Sequence, residues 1–344
     1  MRLLVEAANT ALGVEDGRIV SPLGHFDVVL RVRDGELHPG LINSHDHLHR
    51  NHYGRLGFPP YRNAYEWGDD IHVRCADAIA CGRAKSRSDA LRYGAEKNLR
   101  SGVTTVVHHD PWEPQFEDHF PIRVLRVRNA HTLRSVGNAD TSIDSNAPFM
   151  IHLAEGTDDS SADEVRALDR RQLVNRNLLA VHVVGADAAG VSVLRSAGAG
   201  VIWCPTSNAF MLGRTTPAAL LAPGIDVMLG SDSLLSGAGT LLDEIRAARE
   251  LGLLSDERLM DSVGPIAARR FGIDAPSLAD DTRADFVIFR KPVLDALPVD
   301  VALVVANGHL RVLDPTLIDA LGKWECTGTV SEMGGVARWM SLLA

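Results

Sequence analysis

Two histidines one residue apart, in the run Asn43-Ser44-His45-Asp46-His47, are well placed by type and spacing to do chemistry. Side chains alternate along a strand, so residues i and i+2 point to the same side. The apolar lead-in of Leu41 and Ile42 favours a strand. His45 and His47 can then reach one point in space, as a metal ion requires. Alone, such a pair is a weak signal. Further polar groups stand at the ends of later apolar runs. His152 follows Phe149-Met150-Ile151, and Glu155 comes shortly after it. His182 interrupts Leu179-Ala180-Val181-His182-Val183-Val184, and Asp232 follows Val227-Met228-Leu229-Gly230-Ser231.

Taken singly, each has a plainer explanation. His182 suits a core histidine with its hydrogen bonds met, Asp232 a helix N-cap, and Glu155 a solvated loop acid. Together with His45 and His47, those explanations need several coincidences, whereas a metal site accounts for the whole set. Three neutral imidazoles and a carboxylate suit Zn²⁺, with Fe²⁺ the second choice, and leave a position for water. A nearby carboxylate such as Glu155 can shuttle protons, and a further histidine can polarise the group under attack.

These groups meet only if strand ends bring them together. Short apolar runs at 103–107, 149–153, 179–184, 201–204 and 226–229 suit strands buried on both faces. Helical patterns at 88–100, 162–174, 188–197 and 241–251 lie between them. Repeating strand–helix units predict an α/β fold, with a closed (β/α)8 TIM-like barrel leading and a doubly wound sheet as the alternative. The chain ends read differently, as short strands with the hairpin turn signals Asp16-Gly17 and Asn307-Gly308. The expected division is a composite β-sandwich from 1–38 and 283–316, a barrel over 39–282, and a C-terminal tail at 317–344.

The 344 residues carry a net charge of -9 and no Lys/Arg run interleaved with aromatics, which argues against a nucleic-acid partner. Cys75, Cys81, Cys204 and Cys326 form no C-x-x-C pair, as expected of reduced cytoplasmic thiols. Glu6 interrupts the first apolar residues early, and no apolar run is long enough to span a bilayer. The expectation is a cytoplasmic protein acting on a small molecule, with no nucleic-acid or membrane partner.

The same residues, in this order, resemble the amidohydrolase superfamily. The similar branch holds one metal and includes adenosine, cytosine, guanine and S-adenosylhomocysteine deaminases and the triazine chlorohydrolases. Residues 39–47 resemble its first-strand signature, and 98–107 its second helix–strand unit. His152-Leu153-Ala154-Glu155 resembles its H-x-x-E, and His182 its next-strand histidine. Cys204-Pro205-Thr206-Ser207-Asn208 and Gly230-Ser231-Asp232 resemble its last two barrel motifs, and Ala284-Asp285-Phe286-Val287-Ile288 the strand returning to a small β domain.

The resemblance implies that His45, His47, His152 and Asp232 hold the metal. It implies that Glu155 protonates a ring nitrogen or leaving group, and that His182 orients or polarises the substrate. Asp232 would also accept a hydrogen bond from the attacking water. Binuclear relatives bridge their metals with a carbamylated lysine, but no Lys lies between Lys97 and Lys291. One metal per chain is therefore expected. The implied activity is hydrolytic deamination of an amino- or imino-substituted, cyclic carbon–nitrogen compound. Hydrolysis of a cyclic amide or carbon–halogen bond is the alternative, and an inactive binding protein the remote one. A homodimer is compatible with the family.

The chain departs from the family pattern over 111–148, which is compressed and holds no clear fourth strand. Residues 124–127 suit either the third strand or the fourth, so a smaller or differently capped pocket is expected. Trp67 and Trp112 are candidates for stacking on a planar ring. His109 and His131 are candidates for lining the pocket, and Asn208 for a turn or a substrate contact.

Overall fold

The computed structural model describes residues 2–117, 119–138, 146–322 and 327–342. Lys323 and Cys326 lie outside the described residues. The N-terminal strands β1 (Arg2–Ala7), β2 (Ala11–Glu15), β3 (Arg18–Val20) and β4 (Val28–Val32) form one sheet in the order β3-β2-β1-β4. The Asp16-Gly17 turn between β2 and β3 has φ values of 49° and 77°, the left-handed backbone that tight hairpins need. β5 (Glu36–Pro39) then leads into the part of the chain that carries the site.

Two parallel sheets follow. β6 (Leu41–Asp46), β7 (Val103–His108) and β8 (Arg123–Leu125) form the first. β9 (Arg128–Ala130), β10 (Phe149–Leu153), β11 (Leu178–His182), β12 (Gly200–Trp203) and β13 (Val227–Leu229) form the second, in sequence order. Every residue of β6, β7 and β10 to β13 is buried, which is why β10 to β13 read as near-continuous apolar runs rather than alternating ones. The expected α/β class with parallel sheets is what the chain adopts.

The two parallel sheets abut at β6 and β13, where the Asp232 amide donates to the His45 carbonyl at 3.0 Å. Gly230 allows this approach, since a Cβ there would lie 2.5 Å from His45 Cβ. On the other side, only Arg126 and Val127 separate β8 from β9. A crossover between neighbouring parallel strands takes a dozen or more residues. β8 and β9 are therefore successive parts of one run of chain, paired first to β7 and then to β10. Among the described residues, the compressed stretch supplies one strand position, at the residues 124–127 that the sequence leaves open between the third strand and the fourth. One apolar cluster takes Ile42, Val107, Leu125, Met150, Val181, Ile202 and Met228 from both parallel sheets.

Helices cover these strands. After β6 come α1 (Ala64–Arg74), α2 (Ala76–Arg83) and α3 (Arg87–Leu99). Asn63 and Ser86 cap α1 and α3 by accepting from the Glu66 and Asp89 amides. α4 (Asp159–Arg170), α5 (Ala188–Ser196) and α6 (Pro205–Leu212) follow β10, β11 and β12. Further helices at Leu241–Leu251, Asp256–Ser262 and Pro265–Phe271 complete the cover after β13.

The chain then returns to β structure. β14 (Phe286–Phe289), β15 (Val301–Ala306), β16 (His309–Leu313), β17 (Thr329–Met333) and β18 (Val336–Met340) join β5 in a six-stranded antiparallel sheet. Leu3, Val5, Val14 and Leu30 of the N-terminal sheet share one core with Phe286, Ile288, Leu303 and Trp339. Residues 317–344, set apart by the sequence as a tail, contribute β17 and β18. Among the described residues, no helix is long and apolar enough to cross a membrane.

α3 approaches the segment after β6 most closely at Gly94, where a Cβ would sit 2.2 Å from the Leu48 carbonyl oxygen. Gly→Ala inside a helix ordinarily gains about 1 kcal/mol. Here the clash with backbone reverses the sign. Gly94→Ala is expected to destabilise the fold by about 1–3 kcal/mol, read from the denaturant midpoint. A gain in stability would show that the helix shifts freely.

Candidate metal centre

The residues singled out by the sequence emerge at one end of the parallel strands. His45 is near the end of β6 with His47 just beyond, His152 is in β10, and His182 ends β11. Glu155 and Asp232 follow β10 and β13. The backbone here is unusual. Ala154, His182, Val183 and Asp232 have φ of 50°, 68°, 45° and 52°. Left-handed backbone costs on the order of 1–3 kcal/mol for each residue other than glycine and concentrates at functional sites.

His152 Nε2 lies 3.2 Å from His45 Nε2 and 3.4 Å from His47 Nε2. Hydrogen-bond partners on the far side of each ring decide what these nitrogens carry. His47 Nδ1 donates to Asp110 Oδ2 at 2.5 Å. His152 Nδ1 donates to the His131 carbonyl at 2.6 Å. His109 Nε2 donates to the Ala130 carbonyl at 3.0 Å, so its Nδ1 is an acceptor. His45 Nδ1, 3.3 Å from that nitrogen, must be the donor. All three neutral rings therefore place their protons outward and their Nε2 lone pairs inward. Burial pulls the His47 and His152 pKa values well below the usual range, which keeps the rings in this neutral, ligating form.

Three lone pairs facing one another at such distances have no proton to share. A tetrahedral ion with bonds of about 2.0–2.1 Å separates its donors by about 3.3–3.4 Å, matching what is found. Asp232 Oδ1 stands 3.7 Å from both His45 Nε2 and His47 Nε2. Its other oxygen accepts from Ser207 Oγ at 2.7 Å and Ser236 Oγ at 2.8 Å, which fixes the carboxylate plane. Burial alone would raise the Asp232 pKa, but His45, His47 and His182 around it outweigh that and hold it well below the usual range. The donor set fits a metal ion. His109 also lies within 4.8 Å of the three imidazoles, but its acceptor nitrogen is spent on His45, which places it behind that ring.

A polar floor supports the ligands. Asp46, between the two histidines, is fully buried and turns away from them. Lys97 Nζ on α3 meets Asp46 Oδ2 at 3.0 Å, Ser231 Oγ at 3.0 Å and the Asp232 carbonyl at 3.1 Å. Asn51 and Asn98 donate to the two Asp46 oxygens at 2.9 and 2.7 Å. One ammonium, with its three protons matched by three acceptors, thus ties the His45–His47 segment to the Asp232 segment.

His182 and Glu155 face each other beside the ligands, with Nε2 3.4 Å from Oε1. The Thr216 hydroxyl donates to the His182 carbonyl at 2.6 Å, so its oxygen accepts from the Asn208 amide. That turns Asn208 Oδ1 toward His182 Nδ1, 2.8 Å away, and leaves a lone pair on Nε2. Burial lowers the His182 pKa to about 4. Burial first, then Asp232 and Glu164, pushes the Glu155 carboxyl well above its usual value.

A cavity of about 710 Å³ opens over these groups, bounded by His47, His152, Glu155, Asp232 and a roof from α1 and α2. Trp67 and His131 line it, whereas Trp112 packs on Phe116 and Asn208 serves His182. The sequence reading did not single out Asp110, Lys97, Ser207 or Ser236. Asp110 carried a signal, as a carboxylate directly after the end of β7.

No family profile matches the chain. A 5-methylthioadenosine/S-adenosylhomocysteine deaminase from Teredinibacter turnerae is 30% identical over 172 residues, 44% of this chain and 39% of the relative. One from Pyrococcus furiosus is 28% identical over 206 residues, 49% of this chain and 48% of the relative. The matched stretches thus span less than half of these relatives. Over these stretches the chain is similar to the deaminase-like branch of the amidohydrolase superfamily. An adenosine deaminase structure from Xanthomonas campestris with bound zinc aligns with a TM-score of 0.68 at 19% identity, covering 92% of this chain and 94% of that one. A triazine hydrolase from Arthrobacter aurescens aligns at 0.66 with 18% identity, covering 92% and 96%. At these identities the structures show the amidohydrolase fold alone.

Two substitutions test how the ligands are held. Asp110→Asn removes the charge behind His47 and is expected to weaken metal binding 10–100-fold in a chelator competition. Unchanged affinity would show that Asp110 does not orient the ring. Lys97→Met leaves Asp46 buried and unpaired, at a cost of about 3–5 kcal/mol in urea unfolding, most of which Asp46→Asn should restore. A double variant as unstable as the single one would refute the coupling.

Proposed function

We propose that this chain is a hydrolytic deaminase with one Zn²⁺ per chain, releasing ammonia from an amino- or imino-substituted carbon of a small, ring-bearing compound. The observation that carries this reading is Glu155, which lines the cavity and faces the buried His182, beside three converged imidazole lone pairs. The names of the curated relatives support it. The amidohydrolase barrel is the matching scaffold, with the two parallel sheets closing on the apolar cluster they share. Residues 39–282 would form it, beside a composite β domain from the chain ends.

His45, His47, His152 and Asp232 would hold the ion. Bound there, zinc acidifies a water and so supplies a nucleophile at neutral pH. Asp232 Oδ1, held by the two serine hydroxyls on its other oxygen, accepts the proton of the attacking water. Glu155 is kept protonated by burial and donates to the ring nitrogen or to the departing amine. The proton taken by Asp232 passes to the amino group where Glu155 has protonated the ring nitrogen, and the remaining hydroxyl proton returns to Glu155. The carbon–nitrogen bond breaks as the carbonyl forms, and ammonia leaves. His182 acts as an acceptor, because Asn208 fixes its proton on Nδ1. Of the two roles that the resemblance allows, orienting a substrate or water N–H or O–H suits this tautomer, and polarising by donation does not.

Glu155→Gln is expected to lower kcat by about 10²–10⁴-fold while the metal content stays unchanged, measured by ammonia release and metal analysis. Retained turnover would overturn the assignment. The same site could hydrolyse a cyclic amide or a carbon–halogen bond, and conversion without ammonia across a panel of amino heterocycles would establish that instead.

A further inference from the structure

We infer that the substrate carries an acidic group, a carboxylate or phosphate, at the end remote from the reacting carbon, and that Arg83 and Arg134 at the cavity rim receive it. This rests on the deaminase reading of the same site and narrows its substrate class.

The chain as a whole is acidic, with 44 Asp and Glu against 35 Lys and Arg. Its cavity reverses that balance. Arg50, Arg83, Arg87 and Arg134 line it, against the acids Asp69, Glu155 and Asp232. Asp232 belongs to the metal set, and Glu155 is held in its neutral form by burial. Two of the arginines are already matched: Arg50 by Asp110 at 3.1 Å and Arg87 by Glu113.

The other two are not. Among the described residues, Arg83 at the end of α2 makes no ion pair. Arg134 lies over the Tyr65 ring, 3.6 Å from its centroid, which leaves the edge N–H groups of the guanidinium free to point elsewhere. Glu164 is within the field of Arg134, but its oxygens are taken by Tyr65 Oη and the Ala154 amide, each at 2.8 Å. A guanidinium edge matches a carboxylate or phosphate with two parallel hydrogen bonds, and a concave rim of one sign raises the local concentration of the opposite charge. Tyr65 and Trp67 line the same cavity and supply aromatic surface of the kind a planar ring packs against. A neutral base would leave both arginines unanswered.

The test uses the zinc-loaded protein and matched pairs of amino heterocycles, each with and without a carboxylate or a phosphate arm. The acid-bearing member should show kcat/KM at least ~10-fold higher, and Arg83→Met and Arg134→Met should each erase about that much of the preference, mainly through KM. Carboxylate and phosphate arms, run separately, identify which acid is read. Equal kcat/KM for both members, or a preference untouched by either variant, would overturn the inference. If no pair yields ammonia, the deaminase reading falls, and calorimetric titration with succinate and with inorganic phosphate decides the rim by itself. Binding lost in the double variant upholds the anion site, and binding absent from the wild type, or equal in both proteins, refutes it.

Discussion

The imidazole lone pairs of His45 and His47, both within 3.4 Å of that of His152, are an electrostatic conflict, and this end of the parallel strands is organised around sustaining it. Each ring is held from behind by an acceptor on a different part of the chain. Asp110 follows β7, His131 follows β9, and the His109–Ala130 link joins those two regions. Turning any ring over would trade a satisfied N–H for an unsatisfied one in a buried setting, which costs about 1–3 kcal/mol. A cation at the focus removes the conflict, so metal binding and completion of the fold are coupled here.

The conflict is mounted on a floor that is itself under load. Lys97 and Asp46 are both buried, and ions taken out of water repay their desolvation only when every proton and lone pair is met. Asn51 and Asn98 donate to Asp46, Ser231 accepts from Lys97, and Asn43 reaches Asp46 Oδ2 at 3.4 Å. Left-handed backbone at His182, Val183 and Asp232 adds strain. For Val183 this is a marked exception, because a β-branched side chain crowds that conformation. The parallel strands beneath, buried throughout, supply the apolar packing that offsets these costs.

The sequence showed the carriers of the chemistry because strand ends in an α/β chain are legible. An imidazole or carboxylate that closes an apolar run stands out, and His45, His47, His152, Glu155, His182 and Asp232 all did so. The α/β class and the β-rich ends followed from the same periodicities. What stayed hidden depends on partners remote in sequence. Lys97 occupies a helix whose exposed residues look much like it, and only the packing of α3 against β6 and β13 shows where its ammonium goes. Asp110 was visible as a residue, but its task is set by a ring 63 positions away. Trp67 and Trp112 were indistinguishable as aromatics, since nothing local reveals which one faces the cavity. The strand deficit at 111–148 was readable as compression, yet its resolution into one run shared by two neighbours is a matter of pairing.

The roof of the cavity has a property that the floor lacks. More than half of the lining residues come from the single stretch 47–87, whereas the four candidate ligands come from three separate strand ends, those of β6, β10 and β13. Recognition and chemistry are thus written in different places. A change between Tyr53 and Arg87 alters what the cavity admits without touching the ring tautomers, while a change in the floor is felt by every ligand at once. This asymmetry makes the protein evolvable in one direction: much of what shapes the cavity can drift, or be exchanged as one contiguous piece, over a polar floor that stays fixed.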